Sequence, residues 1–112
     1  MKTIALFLLV TITLSCSNPF DTSVEVRYEV SGTAQSVDIT YENNNGGISQ
    51  LTGIPLPWSI TFSGDPGDYV YLAATNRGET GSITVTIHRN GKVFKRASSE
   101  GAYVTASVSG TL

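Results

Sequence analysis

The sequence predicts an all-β protein, an immunoglobulin-like β-sandwich of about seven or eight antiparallel strands preceded by a signal peptide. Apolar and polar residues alternate along short segments rich in Val, Ile and Tyr, which is the pattern of half-buried strands. Clusters of Gly, Asn, Asp and Pro separate these segments about every 8–12 residues. No stretch beyond residue 15 has the apolar period of a helix. A small closed barrel is the alternative architecture.

The beginning of the chain has the pattern of an export signal. A positive start at Lys2 is followed by an almost wholly apolar run from Ile4 to Leu14. This run is as long as the apolar region of a secretory signal, and it is shorter than the ~20 residues that span a bilayer. The predicted division of the chain is a lipoprotein signal peptide at 1–15, a lipidated Cys and tether at 16–22, and a β-sandwich domain at 23–112.

The junction Ser15-Cys16 resembles a bacterial lipobox, a signal in which the Cys becomes the new N-terminus and is lipidated on its sulfur. Thr13 stands where lipoboxes usually have Leu. Cys16 is the only Cys of the chain, so it has no internal disulfide partner, and this favours acylation over an ordinary signal with an incidental Cys. The tether from Ser17 to Thr22 extends at most ~20 Å. The predicted location is the bacterial cell envelope, membrane-anchored and facing the periplasm or exterior.

The first half of the domain contains two regular alternating segments. Val24 to Val30 and Val37 to Glu42 each alternate strictly, and we interpret them as strands that pair in a hairpin. The Asn- and Gly-rich stretch 43–47 is a turn, and Ile48 to Leu51 is a short strand. Because prolines cannot donate ladder hydrogen bonds, we expect the Pro-rich stretch Gly53 to Pro57 to lie at a sheet edge and to carry the chain between layers.

The second half begins with a strand from Trp58 to Ser63 and ends in a run of shorter segments. Tyr69 to Thr75 is apolar on both faces, which predicts a central strand. Asn90-Gly91 predicts a type I′ hairpin turn. The strands that it joins are predicted to contain Ile83 to Ile87 and Lys92 to Ala97, and Tyr103 to Gly110 closes the fold.

The residue types exclude several functional classes. The formal net charge is −2, and it becomes more negative when Lys2 leaves with the signal, so the chain is not a nucleic-acid binder by charge. With one His, His88, and one Cys, neither a general base with a partner nor a multi-ligand metal site can be assembled. Asp65 and Asp68 favour a turn over a calcium site. We predict no enzyme activity, no metal and no cofactor.

One basic cluster surrounds the Asn90-Gly91 turn. One interpretation is a charged hairpin that blocks edge-to-edge aggregation. The other is a contact with a partner protein or with lipid headgroups. The four candidate contact residues are Arg89, Lys92, Lys95 and Arg96.

The only Trp of the chain, Trp58, follows Leu56 and Pro57. A lone Trp in a sandwich usually packs between the sheets, whereas an exposed Trp would suggest a platform for sugars or partners. The alternation of Trp58 with Ile60 and Phe62 favours the core. We therefore interpret Leu56, Pro57 and Trp58 as a structural signature.

Four pieces of the sequence follow one another in an order that points to a known family. They are Tyr28-Glu29-Val30-Ser31-Gly32, Ile39-Thr40-Tyr41, Leu56-Pro57-Trp58-Ser59, and Ile83 with Asn90-Gly91 and Lys92. In order and spacing they resemble the MmpS family of small mycobacterial and actinobacterial membrane-anchored proteins, and the likeness covers about Val24 to Val108. The resemblance implies an extracytoplasmic β-sandwich that assists resistance-nodulation-division transporters in exporting lipids or siderophores, and it implies no enzyme.

Two departures from that family bear on the function. Its members are usually tethered by a transmembrane helix, whereas this chain resembles a lipoprotein, and their late pair of Cys residues has no counterpart here. The predicted function is a lipid-anchored, non-enzymatic accessory of an envelope transporter, held to the membrane through Cys16. The alternative is a surface lipoprotein that binds a small ligand or glycan, or an adhesion or interaction module.

Overall fold

The computed structural model describes residues 22–112 and contains eight antiparallel strands in two four-stranded sheets. The predicted signal peptide, Cys16 and nearly all of the tether lie outside the described residues. The strands are β1 Val24–Ser31, β2 Ser36–Glu42, β3 Ile48–Pro55, β4 Trp58–Gly64, β5 Tyr69–Asn76, β6 Ser82–Arg89, β7 Lys92–Glu100 and β8 Thr105–Thr111. Residues 22–112 contain no helix. The predicted all-β sandwich is confirmed.

The strand order differs from a simple succession of hairpins. One sheet has the order β4-β1-β6-β7 and the other has the order β3-β2-β5-β8. Only β2–β3 and β6–β7 are joined within a sheet, and every other connection crosses between sheets. The predicted β1–β2 hairpin is wrong, because β1 pairs with β4 and β6, and β2 pairs with β3 and β5. Alternation fixes which face of a strand is buried, but it does not select the partner strand.

The core lies between the inward faces of the two sheets. It is built from β-branched and aromatic side chains at every second position, as period-two alternation requires. Burial is complete or nearly so for Val26, Tyr28, Val30, Val37, Ile39, Leu72, Ile83, Val85 and Ile87. As predicted, β5 is an internal strand, between β2 and β8.

The stretch Gly53 to Pro57 carries the chain from one sheet to the other, as predicted. β3 ends at Pro55 as an edge strand, and β4 begins at Trp58 as the edge strand of the opposite sheet. β3 is longer than predicted because a bulge opposite Asp38 lets the pairing continue to Pro55. Asp38 Oδ1 accepts hydrogen bonds from the Gly53 amide at 3.1 Å and from Arg77 Nη1 at 2.8 Å. The Arg77 hydrogen bond, with help from Gly53, lowers the pKa of Asp38.

The two sides of the sandwich are closed differently. β7 and β8 lie against each other, and the Phe94 ring and the Lys95 side chain reach over Gly110. The edge strands β3 and β4 are farther apart. Apolar side chains on that side are only partly buried, namely Leu51, Ile54, Leu56, Trp58, Ile60 and Phe62.

The sandwich has two ends, which we name by where the chain enters. The entry end contains Val24, which pairs with Gly64. The turns at residues 43–47, 65–68 and 90–91 lie at the same end. The far end is formed by the connections at 32–35, 77–81 and 101–104 and by the crossing between β3 and β4.

Candidate functional site

The hairpin between β6 and β7 has the predicted turn. Asn90 and Gly91 have φ values of 53° and 82°, the positive values that a type I′ turn requires at both central positions. Gly91 adopts this conformation without steric cost. Asn, the residue at position 90, is one of the few other residue types that tolerate a positive φ.

Asn90 also fastens the hairpin to the first strand. Its side-chain Oδ1 accepts a hydrogen bond from the Glu25 amide at 2.9 Å, and its own amide donates to the Glu25 carbonyl at 2.8 Å. The turn is therefore held beside the point at which the chain enters the domain. The sequence predicted the turn, but nothing in it indicated this second contact.

The four basic candidate residues lie on two different surfaces, with three on one surface and one on the other. Arg89 and Lys92 face each other across the hairpin. Lys95 lies opposite the buried Ile87, with its Nζ 5.2 Å from the centre of the Phe94 ring. These three therefore run from the hairpin tip along the β7 edge on the inward side of the sheet.

Arg96 lies on the outer face of the same sheet. It pairs with Thr86, and its Nε donates to the Thr86 hydroxyl at 3.4 Å. The separation arises because Phe94 is an extra residue in β7, opposite the step from Ile87 to His88. Such a bulge shifts the alternation by one position, so it could not be read from the spacing of the basic residues.

Exposed apolar side chains concentrate at the entry end. The exposed fractions are 56% for Ile48, 52% for Tyr69 and 53% for Val93. Each of these residues lies at or next to the start of a strand that leaves an entry-end turn. Tyr103, which is 59% exposed, is the fourth large exposed apolar residue in the described part of the chain, and it lies at the far end.

A depression of about 350 Å³ also opens at the entry end. It is lined by the exposed ring of Tyr69, by the apolar Phe62, Val70 and Leu112, and by polar residues, namely Glu42, Asn43, Asn44, Asn45, Asp65 and Asp68. Asp68 closes its own turn, since its Oδ2 accepts from the Asp65 amide at 2.9 Å. Within residues 22–112 no group of three His, Cys, Asp or Glu residues is arranged to hold a metal ion.

Trp58 packs against the core rather than standing free. It is partly buried, and its ring centre lies 5.5 Å from that of Tyr41. The neighbouring Leu56 also packs on the core, while Pro57 is exposed. The aromatic cluster continues through Tyr28, whose ring centre is 5.7 Å from that of Tyr41.

Tyr28 links the two sheets through its hydroxyl. The hydroxyl donates to the Glu42 carbonyl at 2.8 Å and accepts from the Tyr71 amide at 3.4 Å. Burial of the side chain raises the pKa of Tyr28 to about 12. This bond connects β1 to the opposite sheet near the entry end.

His88, the only His of the chain, belongs to a small polar cluster. Its Nε2 lies 3.0 Å from Glu29 Oε1, and Arg27 Nη2 lies 3.7 Å from Glu29 Oε2. His88 retains only 17% of its side-chain exposure. The cluster balances charge on the outer face of the sheet, as the alternation of Glu25, Arg27 and Glu29 indicated.

Asn76 organises the far end of the sandwich. It is the last residue of β5 and is 1% exposed. Its Nδ2 donates to the carbonyls of Thr80 and Gly101, both at 2.9 Å, and its Oδ1 accepts from the Gly78 amide at 2.8 Å. No sequence signal distinguishes a buried Asn of this kind from an exposed turn residue.

Comparison with known proteins adds one positive finding. A search of curated proteins found no match. No helix within residues 22–112 is long and apolar enough to cross a membrane. The model of a family described as Mycobacterium membrane protein matches residues 9–110, in agreement with the likeness to MmpS proteins. Since this match spans most of the chain, the protein belongs to the Mycobacterium membrane protein family.

Proposed function

We propose that this protein is a lipid-anchored, non-enzymatic β-sandwich of the cell envelope that assists an envelope transporter of the resistance-nodulation-division type. The observation that carries the proposal is the extent of the family match, which begins at residue 9 within the apolar run and continues through the sandwich to residue 110. The apolar start and the folded domain thus belong to one family unit. In this chain, the apolar start leads directly to Cys16.

The described polar groups support a non-enzymatic role. His88 faces Glu29 without a Ser, Thr or Cys nucleophile among its hydrogen-bond partners, and a nucleophile with an activating base is the minimum for covalent catalysis. Asp65 and Asp68 are tied together in their turn by the Asp65 amide and carbonyl. An accessory role requires only a stable domain that is held near the membrane.

The anchor is tested by Cys16→Ser in the full chain, with Thr22→Ser as the matched control. We expect Cys16→Ser to release the protein from the membrane fraction and to abolish incorporation of labelled fatty acid, while Thr22→Ser changes neither. A protein that stays with the membranes without taking up the label would show that the lipoprotein assignment is wrong.

The transporter partner is tested by cross-linking in intact cells, followed by recovery of the tagged full chain. We expect recovery of a large multi-spanning membrane protein. The charge-removing variants Arg89→Gln and Lys92→Gln test whether the hairpin takes part, with Arg96→Gln on the outer face as the control. Recovery of no envelope protein would count strongly against the accessory role.

A second candidate function is binding of a glycan or another small polar ligand in the entry-end depression. The observation that favours it is the half-exposed Tyr69 beside Asn44 and Asp65, since an aromatic face with nearby polar groups suits a sugar. Trp58 is not available for this purpose because it packs on Tyr41. Titration with oligosaccharides, comparing Tyr69→Ala with Tyr103→Ala, separates this function from the first.

A further inference from the structure

The position of the anchor relative to the fold limits which surface faces the membrane. Val24 is the first residue of β1, and it pairs with Gly64 at the entry end. If Cys16 is held in the bilayer, the eight residue steps from Cys16 to Val24 span at most ~28 Å. This length is shorter than an eight-residue strand plus its turns at ~3.3 Å per residue, so the entry end is the end that the tether holds near the lipid.

The chemistry of the entry end is that of a membrane interface. Ile48, Tyr69 and Val93 each expose more than half of their surface there. Val93 follows the basic Lys92, and an apolar side chain beside a basic one favours the zone between headgroups and acyl chains. In the isolated domain these side chains are exposed to water. Burying them in the membrane interface lowers the free energy through the hydrophobic effect.

We propose that the entry end of the sandwich rests in the headgroup layer of the membrane that anchors the chain, with the β6–β7 hairpin as its main contact. The inference rests on the proposed N-terminal anchor. The exposed Val93 lies in this layer, and Arg89 and Lys92 pair with lipid phosphates. The two hydrogen bonds between Asn90 and Glu25 hold the hairpin beside the tether, so anchoring the chain also delivers the hairpin to the surface.

The charges of the entry end determine which part of it meets the lipid phosphates. The basic pair Arg89 and Lys92 lies at the hairpin, whereas the carboxylates lie in β1, at the end of β2 and in the turn from β4 to β5, namely Glu25, Glu42, Asp65 and Asp68. Lipid phosphates attract the first group and repel the second. Contact with the lipid phosphates therefore falls to the hairpin rather than to the acidic groups.

The test uses the full chain, anchored in vesicles of phosphatidylcholine and phosphatidylglycerol that contain a headgroup-nitroxide lipid. Val93→Cys and Tyr103→Cys are each labelled with a fluorophore, since Cys16 is blocked by acylation. Both positions are exposed to a similar extent, 53% and 59%, but they lie at opposite ends. We expect the nitroxide to quench the label at 93 and to leave the label at 103 unchanged.

Variants that each remove one positive charge test whether the basic residues of the hairpin contribute to the contact. Adding Lys92→Gln to the Val93→Cys chain lowers the ratio of label in contact to label out of contact by about five-fold, the factor contributed by one basic residue near an anionic surface. Arg96→Gln, on the same strand but on the outer face and ~13 Å farther from the tip, changes nothing. Unchanged fluorescence of Trp58 verifies that each variant is folded.

The outcomes separate the inference from the function on which it rests. If the chain sediments with vesicles but neither label is quenched, the anchor stands and the docking surface is wrong. Equal quenching at 93 and 103 means that the domain lies on its side, which also overturns the proposal. If the chain does not sediment at all, the anchor fails and the inference fails with it. A label at 93 that is shielded only when an envelope protein is added would assign the hairpin to a protein partner instead.

Discussion

Replacement of Asn76 by Asp should remove a large part of the stability of the domain. The two side chains have nearly the same shape, so the change introduces no cavity. An ionised carboxylate keeps the bond from the Gly78 amide, but it cannot donate to the carbonyls of Thr80 and Gly101, each 2.9 Å from Nδ2. Those two carbonyls would then face a negative charge at a site that is 1% exposed.

The expected loss can be estimated from these contacts. Two lost hydrogen bonds contribute about 1 kcal/mol each. Burying an ionised carboxylate without a positive partner adds a few kcal/mol more, for a total of about 3 to 5 kcal/mol. Since a domain of this size is stable by only about 5 to 10 kcal/mol, Asn76→Asp should lose at least about a third of that stability.

The assay is urea unfolding of the full chain in mild detergent, followed by the fluorescence of Trp58, the only Trp in the sequence. The matched control is Asn44→Asp, the same chemical change at an exposed position of the entry-end turn, where we expect a change within about 0.5 kcal/mol. A loss below about 1 kcal/mol for Asn76→Asp would refute the argument that Asn76 holds the far end together.

The pH dependence of the same variant checks the mechanism. Burial beside two carbonyl oxygens raises the pKa of the introduced carboxyl in the folded state above its value in the unfolded chain. The folded state therefore binds the proton more tightly, and protonation restores one donor. The destabilisation should shrink as the pH falls from about 8 to about 5. A loss that does not change with pH would mean that charge burial is not the cause.

Three further predictions concern other contacts. Tyr28→Phe keeps the aromatic packing and loses the hydrogen bond between the sheets, so it should lower the free energy of unfolding by about 1 to 2 kcal/mol. Because the pKa of Tyr28 is raised to about 12, the stabilisation by the Tyr28 hydroxyl is complete below about pH 10 and is lost toward about pH 12. In alkaline titration the variant should not show this loss. Asn90→Ala should destabilise by about 1 to 2 kcal/mol through the lost bond to Glu25 and the positive φ, and Asn90→Gly by less; equal losses would mean that φ does not matter. Gly32→Ala drives a methyl group into the carbonyl of Ser82, so its thermal unfolding temperature should fall much further than that of Gly67→Ala, where the space is open.

Several features of the fold follow from local signals and were predictable. The inward alternation of Val24 to Val30 identifies β1, because a two-residue period leaves one face buried whatever the partner strand is. Asn90-Gly91 identifies the hairpin because few residue pairs adopt positive φ twice. Pro55 and Pro57 identify an edge and a crossing because they lack amide donors.

Other features depend on contacts between residues distant in sequence, and these escaped prediction. The partners of β1 lie beyond residue 57, and a Gly-containing loop at 32–35 is compatible with a hairpin as well as with a crossing. The extra residue Phe94 redirects Arg96 away from the other basic residues. The role of Asn76 requires three separate backbone groups to lie around one side-chain amide, and no residue spacing in the sequence predicts this arrangement.

The pairing of β1 with β4 and β6 has a consequence for how the domain is made. A chain exported with its N-terminus first delivers β1 before either partner strand has crossed the membrane. This valine-rich strand then waits unpaired until β4 has emerged, and its second neighbour is complete only when Arg89 has followed. Folds dominated by such distant pairings form slowly, and their exposed strands are prone to aggregate in the meantime. If the chain is exported as proposed, translocation and folding are separate stages, and a chaperone that shields β1 during the interval would raise the yield of folded domain.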